Sequence, residues 1–97
     1  MKLMNKELEA KLPRQPKGKD PMVLVHYFNA RGAGDWYGIS WNKKDRIMFG
    51  YVSIFKDHND ELGDFALWEL EQELGIERDL YFTPKPLSEV KNKLYNK

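Results

Sequence analysis

The run Ile76–Phe82, "IERDLYF", brings together more side chains that can do chemistry than any other stretch of the chain. At its centre Arg78 stands between Glu77 and Asp79. A guanidinium can donate two parallel hydrogen bonds to a carboxylate or a phosphate, so this run can form an anion-binding site. The same residues can instead form a structural ion pair that fixes the segment to a neighbouring strand. We favour this interpretation, because the run lies between two predicted helices.

In extended backbone this run has two different faces. Side chains alternate along a strand, so Arg78 and Leu80 share one face, opposite Glu77, Asp79 and Tyr81. The alternation predicts that the arginine points away from the acids beside it.

A second set of residues combines aromatic rings with positive charges around a predicted hairpin. Its members are Arg31, Trp36, Tyr37, Trp41, Lys43, Lys44 and Arg46. Exposed rings can stack on bases while cations hold phosphates, which is typical of proteins that bind single-stranded nucleic acid. Alternation places Tyr37, Ile39 and Trp41 on one face of the strand and Trp36, Gly38 and Ser40 on the other. One of these faces can equally well be core.

Metal and catalytic motifs are weak in this sequence. The run 57–64, "DHNDELGD", is rich in oxygen ligands, but Leu62 and Trp68 stand where a calcium loop needs glycine and a bidentate glutamate. His26 lies within an apolar strand, where we expect a hydrogen-bonded, partly buried histidine rather than a general base. There is no cysteine. We predict no metal, no cofactor and no catalytic residue.

The charges are unevenly distributed. Residues 1–56 hold 11 basic and 5 acidic side chains, residues 57–82 hold 1 and 9, and residues 83–97 hold 4 and 1. The acidic block can steer a partner, although opposite blocks can also pair with each other. No apolar run approaches the roughly 20 residues that span a bilayer, and the start does not resemble a signal peptide, so we expect a cytoplasmic protein without membrane contact.

Periodicity, caps and turn formers predict the elements that must position these side chains. Helices are predicted at 5–12, 66–74 and 86–95. Strands are predicted at 22–29, 36–41 and 46–55, with a short fourth strand at 63–65 and an extended run at 76–82. The prediction is a single α+β domain over 1–97. It is an antiparallel β-meander of about three to five strands, with helices from the N-terminus and the C-terminal third packed on one face.

Three segments carry a resemblance to a known family: "KLMNKELEAKLP" (2–13), "FGYVSIFKDHNDELGDFALWEL" (49–70) and "LGIERDLYFTPKPLSEV" (74–90). On them the chain resembles an uncharacterised family of small single-domain bacterial proteins, common on plasmids and other mobile elements, which is a domain of unknown function. The family tends to have serine at the position of Ala66, where serine and Glu69 would form a capping box. The resemblance implies no activity.

Together these observations predict a small cytoplasmic binding or accessory protein associated with mobile elements. We expect its partner to be another protein, met through the acidic 57–79 side or the aromatic strand edge. The alternative is a module for single-stranded nucleic acid that uses the basic aromatic 31–46 region. An enzyme of unspecified reaction is the third hypothesis.

Overall fold

The computed structural model describes residues 2–55 and 60–95. Over these residues the chain forms three helices and seven strands. In chain order they are α1 (Lys6–Lys11), β1 (Met22–Val23), β2 (Val25–Asn29), β3 (Asp35–Asn42), β4 (Ile47–Ser53), β5 (Glu61–Ala66), α2 (Leu67–Gln72), β6 (Ile76–Arg78), β7 (Lys85–Pro86) and α3 (Leu87–Tyr95). The α+β class predicted from the sequence is confirmed.

Five strands form one antiparallel sheet in the order β5-β4-β3-β2-β6. The neighbours β2 to β5 follow one another along the chain, which is the predicted meander, and β6 then returns to pair with β2. Strands β5 and β6 are therefore the two edges. β1 and β7 form a separate two-stranded sheet, so the predicted strand 22–29 is interrupted at Leu24.

The fourth strand is longer than predicted. β5 covers Glu61–Ala66 and pairs with β4 along its whole length, from Ile47 opposite Ala66 to Val52 opposite Glu61. The sequence signal was weak because glycine and acids are uncommon in strands. Part of the acidic run 57–64, Asp57, His58 and Asn59, lies outside the described residues.

An apolar cluster lies on each face of the sheet. On the first face, Tyr27 and Met48 pack with side chains of α1 and α2. On the second face, Tyr37 and Tyr51 pack with α3. We expected all the helices on one face. Helices α1 and α2 do share the first face, but α3 covers the second, because β3 and β4 present apolar side chains on both faces.

A bulge in β3 changes which aromatic residues share a face. Gly38 pairs with Gly50 and Ser40 pairs with Phe49, so Ile39 is an extra residue in β3. Beyond this bulge the alternation shifts by one position. Trp41 therefore lies on the first face and not, as expected, with Tyr37 on the second.

Two glycines and one cap meet specific demands of the backbone. A Cβ at Gly50 would overlap the carbonyl oxygen of Tyr37, so the close approach of β3 and β4 requires glycine at this position. Gly75 has a φ of 96°, which suits glycine after α2. Asn5 caps α1 by accepting a hydrogen bond from the backbone N–H of Leu8 at 2.7 Å. Ala66 precedes α2 with no side-chain cap.

Candidate functional site

His26 is held between two carboxylates on the second face of the sheet. Its Nε2 lies 2.7 Å from Oδ1 of Asp35, and its Nδ1 lies 3.0 Å from Oδ2 of Asp79. An ionised carboxylate only accepts hydrogen bonds, so this geometry favours the positively charged ring, in which both nitrogens donate. The predicted hydrogen-bonded, partly buried histidine is confirmed, and no ring nitrogen is left over to accept a proton.

The register of three strands builds this His26 clamp. His26 is opposite Tyr37 in the β2–β3 pairing, and its ring stacks on that tyrosine with the centroids 4.5 Å apart. Asp35 begins β3, two residues before Tyr37 and therefore on the same face. Asp79 follows β6 and donates its backbone N–H to the carbonyl oxygen of His26 at 2.8 Å. The clamp ties together β2, β3 and the segment after β6.

The pKa values of the clamp favour its charged form. Burial alone lowers the pKa of His26, but the hydrogen bonds to Asp35 and Asp79 outweigh burial, and the pKa is raised above 6.5. Burial alone raises the pKa of Asp79, but the hydrogen bonds from His26 and from the backbone N–H of Tyr81 outweigh it and lower the pKa below 3.8. Both partners of the His26–Asp79 ion pair are therefore charged between pH 3.8 and pH 6.5.

Arg78 lies on the opposite face of the sheet from its acidic neighbours. It is opposite Tyr27 of β2 on the first face, as the predicted alternation requires. Both oxygens of Asp79 are already occupied, Oδ2 by His26 and Oδ1 by the backbone N–H of Tyr81. Within residues 2–55 and 60–95, Arg78 forms no ion pair. Of the structural ion pair predicted for Glu77, Arg78 and Asp79, the structure shows the part made by Asp79, which pairs with His26 of the neighbouring strand β2. Glu77 is exposed.

Arg78 borders a cleft of about 260 Å³ between α1 and the β2–β6 edge of the sheet. Lys11 of α1 is the second cation of this Arg78 cleft, and the acids Glu7 and Asp79 also border it. Much of the remaining wall is apolar, formed by Leu8, Leu24, Leu80, Phe82 and Pro84. Lys11 pairs only loosely with Glu7, at 3.7 Å and largely in solvent. The cleft therefore offers one weakly paired and one unpaired cation beside an apolar wall.

The aromatic members of the proposed nucleic-acid site are mostly buried. Trp41 is only 3% exposed and donates its Nε1 hydrogen to Glu9 at 2.8 Å. Tyr37 is buried under His26 on the opposite face, and Trp36 is half-buried. These rings do not form an exposed stacking surface, because the bulge in β3 sends Tyr37 and Trp41 to different faces.

The cations of that site are also separated. Arg31 lies in the turn after β2, whereas Lys43, Lys44 and Arg46 lie in the turn after β3. The two turns are at opposite ends of the eight-residue β3, about 25 Å apart. Lys43 lies 3.8 Å from Glu9, and Arg46 lies 3.7 Å from Glu71 and over the ring of Trp41. Lys44 is exposed.

A groove of about 450 Å³ lies beside the edge strand β5. We call it the β5 groove. Its apolar walls are Trp36, Val52, Ile54, Phe55 and Phe65. Gly63 forms part of its lining, and no atom lies within 4 Å of the position where a Cβ would be. Phe55 is 75% exposed. The groove therefore offers apolar surface beside a strand whose second edge pairs with no strand within residues 2–55 and 60–95.

The rim of the β5 groove carries only negative charge among the residues described there. Asp60, Glu61 and Asp64 border it. An adjoining hollow of about 420 Å³ shares Trp36, Asp64 and Phe65 with the groove and adds Glu69 of α2. The apolar surface thus continues along β5 towards α2 with carboxylates on its border.

Sequence reasoning missed two parts of these sites. The sequence does not indicate that Asp35 contacts His26, although the short turn between β2 and β3 places these two strands side by side. It also does not indicate that Val52, Gly63 and Phe65 lie together, because this depends on the register of β4 and β5. A glycine inside a predicted strand is the available signal for Gly63, because it leaves room on one face of the sheet.

Among residues 2–55 and 60–95, no group of three or more histidine and carboxylate side chains could hold a metal ion. Likewise, no described helix has the length and apolar character needed to cross a membrane.

Comparison with known proteins gives a family and nothing beyond it. No curated protein and no solved structure matches the chain. A family model described as "Protein of unknown function (DUF2958)" matches residues 2–93. This match covers nearly the whole chain, including the His26 clamp, the Arg78 cleft and the β5 groove. The chain therefore belongs to the DUF2958 family.

Proposed function

We propose that the protein is a cytoplasmic binding or accessory module that holds another protein at the β5 groove. The observation that carries this proposal is the juxtaposition of an unpaired edge strand with exposed and half-buried apolar side chains under an acidic rim. The occupant that fits is an extended segment with alternating apolar residues and Lys or Arg.

The edge strand favours an extended partner. Every second residue of an edge strand turns its backbone N–H and C=O groups outwards, where another strand can pair with them. β5 has no proline and no lysine to prevent such pairing. A partner strand added here would direct alternate side chains towards Val52 and Phe65 in the groove.

Charge decides which partner strand fits. Two copies of β5 placed side by side would bring Glu61 and Asp64 close to the same acids of the other copy, and like charges across a strand pair are destabilising. A basic segment would meet these acids favourably and would also be steered by the acidic block 57–82. We therefore propose a basic partner rather than self-association.

The test begins with identification of the partner. A photo-reactive residue in place of Leu62, on β5, is crosslinked in the native host, and the same residue in place of Glu77, on the opposite edge, is the control. The protein captured from the β5 edge alone is then purified. Its affinity is measured for wild type, for Gly63→Val, which fills the groove, and for Glu61→Lys, which reverses a rim charge.

The expected result is at least tenfold weaker binding by each groove variant, with affinity that falls as salt rises. Glu77→Lys makes the same charge change on the far edge of the sheet and should leave the affinity within about twofold of wild type. If the purified partner binds Gly63→Val as tightly as wild type, the groove is not its site and the proposal fails.

The genomic setting belongs to this proposal. Plasmids and other mobile elements of bacteria, which the family resemblance implies, would suit a small accessory protein that acts on a host or element-encoded partner. Binding to single-stranded nucleic acid has less support than a protein partner, because its aromatic residues are mostly buried and its cations lie at two ends of β3. Binding also has more support than catalysis, because both nitrogens of His26 are occupied.

A further inference from the structure

We propose that the Arg78 cleft is a second binding site, which takes an organic monocarboxylate with an apolar body. This site is independent of the β5 groove, because it lies between α1 and β6, at the opposite edge of the sheet. It also uses the residue of the "IERDLYF" run that the His26 clamp leaves unpaired.

Arg78 supplies the cation of the proposed site. Arg78 is only partly exposed. A partly buried charge without a partner is unfavourable, because the guanidinium has lost part of its hydration. An anionic ligand would offset the free energy that this desolvation costs. The pairing of Arg78 with Tyr27 fixes its backbone in the sheet. The acid that follows it in sequence, Asp79, faces His26 and has both oxygens occupied. Within the described ranges the guanidinium fork is therefore available for a carboxylate.

The charges at the cleft suit a monoanion. Of the two acids that border it, Glu7 pairs with Lys11 and Asp79 pairs with His26. Arg78 is therefore the bordering cation that forms no ion pair within the described ranges, and its single charge matches a single carboxylate.

The apolar wall of the cleft suits an apolar ligand body. Leu8, Leu24, Phe82 and Pro84 provide an apolar wall next to Arg78. A cleft of about 260 Å³ has room for one aryl or branched aliphatic group. Such a carboxylate can come from a free small acid or from the carboxyl terminus of a peptide, and both present the same chemistry to the cleft.

Titration of the 15N-labelled protein with 3-phenylpropanoate, followed by NMR, tests the site. We expect saturable shifts at residues of α1 and β6 with a Kd of about 1 mM, a value typical of ligands of this size. The neutral amide of the same acid should bind at least tenfold more weakly. Arg78→Gln should also reduce affinity at least tenfold, Arg78→Lys should reduce it less, and Arg14→Gln should leave it unchanged.

Two further arms separate the sources of the carboxylate and the two proposals. The first arm uses a short acetylated peptide that ends in phenylalanine, with its C-terminally amidated form as the control. If this peptide binds more tightly than 3-phenylpropanoate, the natural ligand is the carboxyl terminus of a peptide. If it does not, the natural ligand is a free small acid. In the second arm, Gly63→Val should bind the acid with wild-type affinity, so this proposal is tested independently of the β5 groove. Absence of saturable shifts at about 20 mM acid, or equal binding by a folded Arg78→Gln or by the amide, overturns the proposal.

Discussion

Asp35 holds Nε2 of His26 at 2.7 Å across two neighbouring strands. The contact lies on the second face of the sheet, where the side chain of His26 is 14% exposed and that of Asp35 is 19% exposed. At such burial an ion pair with good hydrogen bonds matters more than one in open solvent, because water screens it less.

Replacement of His26 by alanine should destabilise the fold. The change removes the cation between Asp35 and Asp79, which leaves two carboxylates close together, and it removes the ring that stacks on Tyr37. We expect the free energy of unfolding to fall by about 2–3 kcal/mol, measured by urea denaturation. His58→Ala makes the same substitution at the other histidine of the chain. An equal loss in both variants would contradict the role given to the clamp.

The stability of the protein should depend on pH through the same clamp. The pKa of His26 is raised above 6.5 in the folded state, so its contribution is complete below pH 6.5 and is lost as the pH rises through the raised value. The pKa of Asp79 is lowered below 3.8, so its contribution is complete above pH 3.8 and is lost as the pH falls through the lowered value. Stability should therefore be highest between these limits.

Denaturation curves across the pH range measure this dependence. His26→Gln should remove the loss of stability on the alkaline side of pH 6.5, because glutamine does not titrate, while His58→Gln should retain it. A wild-type protein whose free energy of unfolding rises with pH above 6.5 would contradict the assignment.

Two glycines that pair with each other across β4 and β5 should respond to substitution in opposite ways. Gly50 and Gly63 are direct partners in the sheet. A Cβ at Gly50 overlaps the carbonyl oxygen of Tyr37, whereas a Cβ at Gly63 meets nothing within 4 Å. Gly50→Ala should lower the free energy of unfolding by about 3 kcal/mol, and Gly63→Ala should change it by less than about 0.5 kcal/mol. Similar melting temperatures for the two variants would show that the close approach at Gly50 is not a constraint.

Local signals predicted most of the fold. The helix predicted at 5–12 and the hairpin between the strands predicted at 36–41 and 46–55 depend on neighbouring residues, and both are observed. What failed depends on contacts between distant segments. The sequence does not indicate which residue of β3 forms a bulge, yet the bulge at Ile39 moves Trp41 to the other face. Likewise, nothing near Leu87 indicates which face of the sheet α3 covers.

The candidate site was less predictable than the fold for the same reason. The sequence indicates that Arg78 turns away from Glu77 and Asp79, and this alternation is observed. It does not indicate that Asp79 forms a hydrogen bond with His26, which is 53 residues away in the sequence. Hydrogen-bond partners across a sheet follow from its register, which short-range patterns determine only in part.

Trp41 should behave as a core residue in mutagenesis. It is 3% exposed, donates to Glu9 and lies under the guanidinium of Arg46. Trp41→Ala should therefore lower the free energy of unfolding by about 3–5 kcal/mol, measured by urea denaturation. Oligonucleotide binding is better tested with Lys44→Ala, an exposed position expected to leave stability unchanged. A folded Trp41→Ala of wild-type stability would place this ring at the surface.

Restoring a cap at the start of α2 should stabilise the protein. Ala66 has the extended backbone of an N-cap residue, with φ −83° and ψ 121°, but no side chain that accepts a hydrogen bond. Ala66→Ser would supply that acceptor, and Glu69, three residues later, can return a hydrogen bond to the backbone N–H of the serine. We expect the free energy of unfolding to rise by about 0.5–1 kcal/mol, read from urea denaturation.

A matched substitution separates capping from other effects at this position. Ala66→Val keeps a side chain suited to the end of β5 but cannot accept a hydrogen bond, so it should give no comparable gain. Adding Glu69→Ala to Ala66→Ser should remove part of the gain, because the reciprocal bond of the capping box is lost. If serine and valine stabilise equally, the gain comes from strand propensity at the end of β5 and not from a cap on α2.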